Sequence, residues 1–261
     1  MIGMEDHSYH NRWRAIHPRD KIAFALVTLL LGLFSCTLLP PLSILLAMGF
    51  ITVFQAKVPG SFYLKLFCVP AGFLLVGAVS VALILSTSNT DLLYSIRVGA
   101  YYLGVTNVGI NQAVLLLTRS ASAVSCVLFL SLTTPLEDLT GQLERWKVPY
   151  IIIEMMTLIY RFIFIFWEQA VVIHTAQAAR LGHVDPKTSL RSLGYLLSSL
   201  FLTVIKRSNA LYNALVARGY SDCLRFLEEE HLSTPWRIKL GFVGFDLLLL
   251  GLVVGKGSAW L

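Results

Sequence analysis

Uncharged apolar runs alternate with short polar segments along much of the chain and predict helices that cross a membrane. An α-helix needs about 20 apolar residues to span the roughly 30 Å hydrocarbon core of a bilayer. Pro40-Pro41 interrupts the first apolar stretch, which favours a tight helical hairpin over one straight helix. The pattern predicts five spans, formed by residues 22–39, 42–54, 66–85, 108–132 and 238–255.

Helix start and stop signals divide the more polar stretch between the fourth and fifth runs into three helices. Residues 134–137 read Thr-Pro-Leu-Glu, a capping box with proline at the first helical position, which is typical of a helix start. A long helix is predicted over about 149–181, with Gly182 as its stop signal. A third helix begins at Asp185-Pro186 and ends at Gly219.

The segment 150–170 is apolar enough to span a membrane, but it carries a stripe of ionisable residues. Glu154, Arg161 and Glu168 lie seven residues apart and therefore share one helix face. Three ionisable residues facing lipid are energetically costly, so we expect an amphipathic helix at the inner interface. A sixth span whose stripe faces the interior of a helix bundle is the alternative.

Composition and charge indicate the class of protein and its orientation. Only 14% of the 261 residues are charged and 56% are hydrophobic, whereas a soluble domain carries about 25% charged residues. A water-soluble globule is therefore excluded. The net charge of +6 marks cytoplasmic segments rather than a nucleic-acid partner, because the apolar runs dominate. Basic residues cluster before residue 22 and within 171–237, so both segments are predicted to be cytoplasmic and the C-terminus to be outside.

The predicted fold is all-α: a polytopic membrane protein with about five transmembrane helices and a cytoplasmic domain of long amphipathic helices. Its parts are a cytoplasmic N-terminal segment, transmembrane helices 1–4, the cytoplasmic domain with three helices, and the last transmembrane helix. They are expected at residues 1–21, 22–132, 133–236 and 237–261.

The two long cytoplasmic helices end alike. One ends in Ala179-Arg180-Leu181, followed by Gly182, and the other ends in Ala217-Arg218-Gly219. A basic residue in a last turn matches the helix dipole, so each arginine alone has an ordinary explanation as a cap. Two matching ends instead indicate tips that insert into a groove on another protein, where arginine binds a carboxylate or backbone carbonyls.

Two opposite charges lie at the centres of predicted spans, Arg119 in 108–132 and Asp246 in 238–255. An unpaired charge near the bilayer midplane costs at least about 2.5 kcal/mol on insertion scales. We therefore expect an ion pair that joins spans four and five. The alternatives are that Arg119 binds backbone carbonyls or that Asp246 is protonated.

The sequence resembles the transmembrane (T) component of energy-coupling factor (ECF) transporters, the CbiQ/EcfT family. The resemblance rests on His-Pro-Arg-Asp-Lys at 17–21, Thr-Thr-Pro-Leu-Glu-Asp-Leu at 133–139, Val-Pro at 148–149, Tyr-Arg-Phe at 160–162 and Lys-Arg-Ser at 206–208. It also rests on the two helix ends, which resemble the family's two Ala-Arg-Gly motifs. The resemblance implies that residues 179–181 and 217–219 lie on coupling helices and dock onto ABC-type ATPases. The first motif departs from the pattern, because Leu181 stands in its third position.

The segment 8–14, Ser-Tyr-His-Asn-Arg-Trp-Arg, and the chain length are most similar to the cobalt-uptake branch of that family. The resemblance implies a pair of CbiO-like ATPases and a CbiM-like substrate-binding membrane subunit, with CbiN as a further candidate. It implies cobalt or nickel uptake at the inner membrane of a bacterium or archaeon, with a vitamin transporter as the alternative.

Other function classes lack their sequence signals. The chain contains no G-x-x-x-x-G-K-[ST], H-E-x-x-H or G-x-S-x-G sequence and no Cys/His spacing typical of a zinc site. We therefore expect no catalytic residue, cofactor or metal site. A self-contained channel or secondary transporter typically shows internal repeats of its spans, and this chain shows none. A coupling subunit without catalysis is the favoured interpretation over a transporter or an intramembrane enzyme.

Overall fold

A computed structural model describes residue 8 and residues 11–86, 94–98, 101–220 and 234–257 of the protein. The chain divides into two compact units. The first comprises Met1–Leu139 and Glu230–Leu261, and the second comprises Thr140–Glu229. The second unit falls within the 133–236 segment that the sequence marks as cytoplasmic. The predicted all-α class is confirmed, with one small sheet as an addition.

Eight α-helices account for most of the described residues. They are α1 Pro18–Phe34, α2 Leu39–Phe50, α3 Gly60–Ala82, α4 Asn107–Thr133, α5 Leu136–Arg145, α6 Tyr150–Ala179, α7 Pro186–Ala217 and α8 Trp236–Gly257. A short 3₁₀ turn at Arg12–Ala15 precedes α1, and a π turn at Ile51–Gln55 extends α2.

The predicted hairpin between the first two apolar runs is present, with its first arm shifted toward the N-terminus, from 22–39 to Pro18–Phe34. At the start of α1, His17 Nδ1 accepts a hydrogen bond from the Arg19 N–H at 3.2 Å, and Pro18 occupies the first turn. The helix ends at Phe34, five residues before the apolar run does. The two prolines lie in the first turn of α2, where their missing N–H groups need no helical partner.

The core of the first unit lies where α4 packs against α1, α2 and α3. Phe24 of α1 stacks on Phe242 of α8 with ring centroids 4.1 Å apart, and Trp13 meets Phe129 edge to face at 5.7 Å. Small and polar residues on α4 permit close approach and hydrogen bonding between helices, as in the 2.7 Å bond between Tyr63 Oη and Ser125 Oγ.

Two strands within 86–107, which the span pattern leaves as a polar loop, pair with a strand at the end of the predicted third span to form a three-stranded antiparallel sheet. The strands are β1 Leu83–Ser86, β2 Tyr94–Val98 and β3 Tyr101–Val105, in the order β1-β3-β2. Leu83 and Tyr94 both lie opposite Val105. Strands of four or five residues carry too little alternation to be recognised in a sequence, and here they are defined by their pairing.

Among the described residues, four helices are long and apolar enough to cross a membrane: Gly60–Ala82, Asn107–Thr133, Tyr150–Ala179 and Pro186–Ala217. The first two coincide with the predicted third and fourth spans. The other two belong to the segment predicted to be cytoplasmic. Length and composition alone therefore do not distinguish a helix that lies at the membrane interface from one that spans the membrane. The number of spans and the side of each loop stay predictions, and residues 258–261 at the C-terminus lie outside the described residues.

Candidate functional site: two matching helix tips

The first tip, residues 179–182, ends α6 with a Schellman motif. Arg180 is the C-cap residue, and Leu181 has a φ of 60°, in the left-handed region. The Gly182 N–H donates to the Gln177 carbonyl at 2.8 Å, and the Leu181 N–H donates to the Ala178 carbonyl at 3.0 Å. These bonds satisfy two carbonyl groups that the end of a helix would otherwise leave without a partner.

The second tip, residues 217–220, repeats this geometry at the end of α7. Arg218 is the C-cap residue, and Gly219 has a φ of 77°. The Tyr220 N–H donates to the Leu215 carbonyl at 3.0 Å, and the Gly219 N–H donates to the Val216 carbonyl at 3.0 Å. Leu181 and Gly219 are therefore structural equivalents, and the two motifs match position by position despite the different third residue.

Gly182 has a separate role, which is close packing. A Cβ atom at this position would lie 2.8 Å from Ser192 Oγ and 2.9 Å from the Gln177 carbonyl oxygen. Ser192 Oγ donates to the Gly182 carbonyl at 2.8 Å, and Gln177 Nε2 donates to the Ser192 carbonyl at 2.9 Å. These bonds attach the first tip to the first two turns of α7.

We expect Gly182→Ala to destabilise the second unit by about 1–3 kcal/mol, because the new methyl group overlaps a backbone carbonyl. The matched control is Gly194→Ala within α7, where an added Cβ meets nothing within 4 Å. This control should stabilise the protein by about 0.5–1 kcal/mol, since alanine favours a helix interior. Thermal unfolding in detergent measures both, and equal shifts of the two variants would refute the packing role of Gly182.

The arginines of the two tips are available to a partner. Both side chains are exposed, and within the described ranges neither guanidinium forms a hydrogen bond or an ion pair. The tips lie at opposite ends of α7. A helix of 32 residues is about 48 Å long, so Arg180 and Arg218 are separated by roughly the length of α7.

The second tip is attached to the start of α6. The Tyr220 hydroxyl, next to Gly219, donates to Glu154 Oε1 at 2.8 Å. Glu154 is 4% exposed, and in the described part of the chain no hydrogen bond reaches its Oε2 atom. Of the ionisable stripe on α6, only Glu154 is buried, because Arg161 and Glu168 are exposed.

The expected ion pair between Arg119 and Asp246 is not formed among the described residues. Arg119 Nη2 donates instead to the backbone carbonyl of Ser35, which is one of the two alternatives. Because α1 ends at Phe34, its free C-terminal carbonyls lie beside α4, and a cation is favourable there. Asp246 Oδ1 is buried and has no hydrogen-bond partner in the part of the chain that the structure describes.

Lys21 and Asn11, to which the sequence pattern assigns no contact, bind the C-terminal end of α4. Lys21 is 0% exposed, and its Nζ donates to the carbonyls of Thr133 at 2.9 Å and Trp13 at 3.2 Å. Asn11 Nδ2 donates to the Leu132 carbonyl at 3.0 Å. Burial lowers the pKa of Lys21 to about 8, although the negative charge of Asp138 opposes the shift.

Within the described ranges, no group of three or more histidine, cysteine or acidic side chains is arranged to hold a metal ion. His174 and His183 lie near the first tip, with ring centroids 4.5 Å apart. The His183 Nδ1 atom is 3.2 Å from Ser189 Oγ. This pair contributes to the packing between the end of α6 and the start of α7.

Comparison with known proteins identifies similar sequences among cobalt transport and energy-coupling factor transport proteins. A model of the family described as CbiQ: Cobalt transport protein matches residues 10–227. A putative fused cobalt transport protein CbiMQ of Methanocorpusculum labreanum is 33% identical over 97% of this chain, which covers 42% of that protein. The cobalt transport protein CbiQ of Salmonella typhimurium is 30% identical over 84% of this chain and 97% of its own length. The energy-coupling factor transporter transmembrane protein EcfT of Streptococcus equi is 26% identical over 78% of each chain.

Proposed function

Because this chain belongs to the CbiQ cobalt transport protein family of membrane proteins, we propose that it is the transmembrane coupling subunit of an ATP-driven importer of the energy-coupling factor type. In this role it transmits movement of ATPase subunits to a substrate-binding membrane subunit. One observation carries the proposal. Two helix tips of the same backbone geometry each present an exposed, unpaired arginine within the described residues.

The geometry suits docking onto two ATPase subunits, one for each tip. A Schellman motif fixes the backbone around each arginine, so little conformational freedom is lost when the side chain binds. The planar guanidinium makes paired hydrogen bonds to a carboxylate or to backbone carbonyls. The separation of about 48 Å along α7 supports contact with two different subunits rather than one small site. The chain has no phosphate-binding loop sequence, so ATP hydrolysis is assigned to the partners.

Solute and further partners are proposed from the relatives. Two relatives are named cobalt transport proteins, and one of them is named a fusion of CbiM and CbiQ. We propose cobalt or nickel uptake with a CbiM-like substrate-binding subunit, with CbiN as a further member, in the inner membrane of a bacterium or archaeon. The chain is proposed to be multi-pass and without catalytic activity of its own.

Arg180→Glu and Arg218→Glu are expected to release ATPase from the membrane complex. Losing one partner of a buried charged hydrogen bond costs about 2–5 kcal/mol, so each variant should weaken ATPase binding roughly 30-fold or more. The measurement is the amount of CbiO-type ATPase of the same organism that copurifies with the tagged membrane protein, together with cobalt uptake.

The control for this experiment is Arg207→Glu, which changes an exposed arginine on α7 about 16 Å from the second tip. It should leave the copurified ATPase unchanged. Retention of ATPase in both tip variants, while the membrane protein accumulates normally, would overturn the proposed function.

A further inference from the structure

Leu181 combines a strained backbone with an exposed apolar side chain. Its φ of 60° lies in the left-handed region, which is unfavourable for residues other than glycine, asparagine and aspartate. Its side chain is 71% exposed, so packing within the described residues does little to offset this strain. The equivalent residue in the second tip is Gly219, which adopts the same conformation without strain.

Local structure does not explain a leucine at this position. The adjacent Gly182 is required by its close approach to Ser192, but that packing makes no demand on the side chain of residue 181. The other non-glycine residues with positive φ among those described are Lys57 and Lys147, both charged and exposed. Leu181 is thus the apolar exception in this set. Strain of this kind persists at sites of ligand or partner binding.

The surroundings of Leu181 indicate a protein partner rather than lipid. Val184 is 66% exposed, and with Leu181 it gives the first tip two apolar side chains beside the Arg180 guanidinium. Asp185 and Lys187, also exposed, follow directly. Burying this mixture in hydrocarbon would desolvate charges, whereas a pocket of mixed character on a protein accommodates it.

We propose that Leu181 is a docking residue that inserts into an apolar pocket of the ATPase, next to the acceptor that binds Arg180. This inference rests on the proposed coupling function. It makes the two tips unequal: the first tip holds its ATPase by a charged contact and an apolar contact, and the second holds its ATPase through Arg218 without an equivalent apolar side chain at Gly219. The first tip is then the tighter anchor.

Leu181→Gly tests the proposal, because docking and stability should change in opposite directions. Glycine relieves the backbone strain, so the melting temperature in detergent should rise by about 2–4 °C. Loss of a buried leucine contact should lower ATPase binding about 10-fold or more. Leu181→Asn tolerates the same backbone and should also lose ATPase, whereas Leu181→Met keeps an apolar side chain and should retain it. The amount of copurified CbiO-type ATPase is measured per accumulated membrane protein.

The matched control is Leu190→Ala, since Leu190 is equally exposed, at 71%, but lies in the regular α7 helix. It should keep the ATPase. Wild-type ATPase binding by Leu181→Gly would overturn the inference. If Arg180→Glu still releases the ATPase in that case, the coupling function stands, and if it does not, the coupling function fails as well. A drop in membrane accumulation at a constant ratio of ATPase to membrane protein would show that Leu181 contacts lipid, which also overturns the inference.

Discussion

Lys21→Met is expected to lower the melting temperature of the protein in detergent by roughly 7 °C. The substitution fills the same space but removes the lysine donor from the Thr133 carbonyl and one of two donors from the Trp13 carbonyl, which keeps its bond from the Ile16 N–H. Each hydrogen bond from a charged donor contributes about 1.5–3 kcal/mol, and removing a desolvated cation recovers part of this, so we expect a net loss of about 2–3 kcal/mol. The control is Lys65→Met, which changes an exposed lysine on α3 and should shift the melting temperature little.

The pH dependence of this effect distinguishes Lys21 from any other packing residue. In the unfolded chain the lysine keeps its proton up to about pH 10.5, whereas the pKa in the folded protein is about 8. Between these values the unfolded state binds more protons, so stability should rise with pH, by up to about 3 kcal/mol. A neutral amine still has two N–H groups for the two carbonyls. The slope between pH 8 and 10.5 should be absent in Lys21→Met, and an identical slope in that variant would contradict the assignment.

Tyr220→Phe is expected to reduce solute uptake more than it reduces ATPase binding. The tyrosine hydroxyl is the hydrogen-bond donor observed for the buried Glu154 side chain, so its loss leaves that buried group without a partner among the described residues, which costs about 1–3 kcal/mol. The bond attaches Tyr220, the last residue of the second tip, to the first turns of α6. Without it, movement of the tip is no longer passed to α6, and uptake should fall about 10-fold or more while Arg218 still binds the ATPase.

Three measurements separate this coupling role from simple loss of stability. Uptake, ATP hydrolysis and copurified ATPase are compared in Tyr220→Phe and in Tyr212→Phe, which changes an exposed tyrosine of α7. We expect hydrolysis and copurification to be retained in both, and uptake to be lost in Tyr220→Phe. A parallel loss of all three in Tyr220→Phe would mean that the bond only stabilises the fold.

The equivalence of Leu181 and Gly219 was not predicted by comparing the sequences of the two tips. Placing the motifs side by side identifies the arginines but suggests that the first motif is incomplete, with its glycine one residue late. The backbone shows that Leu181 has the same positive φ as Gly219, its equivalent in the second motif. Gly182 is required for a different reason, its close packing against Ser192. A sequence motif records residue types only. The structure instead requires a positive φ angle at residue 181 and the absence of a Cβ atom at residue 182.

Hydrophobic pattern and capping signals by themselves determined the all-α membrane class, the helix starts at Pro186 and near residue 136, and the two arginine tips. These are local properties, because burial period, proline geometry and helix caps act within a few residues. The tertiary structure alone decided that Arg119 binds the end of α1, that Lys21 closes the end of α4 and that Tyr220 binds Glu154. Each of these contacts joins residues at least 66 positions apart, and which donor reaches which free carbonyl or carboxylate depends on how the helices pack and where each one ends.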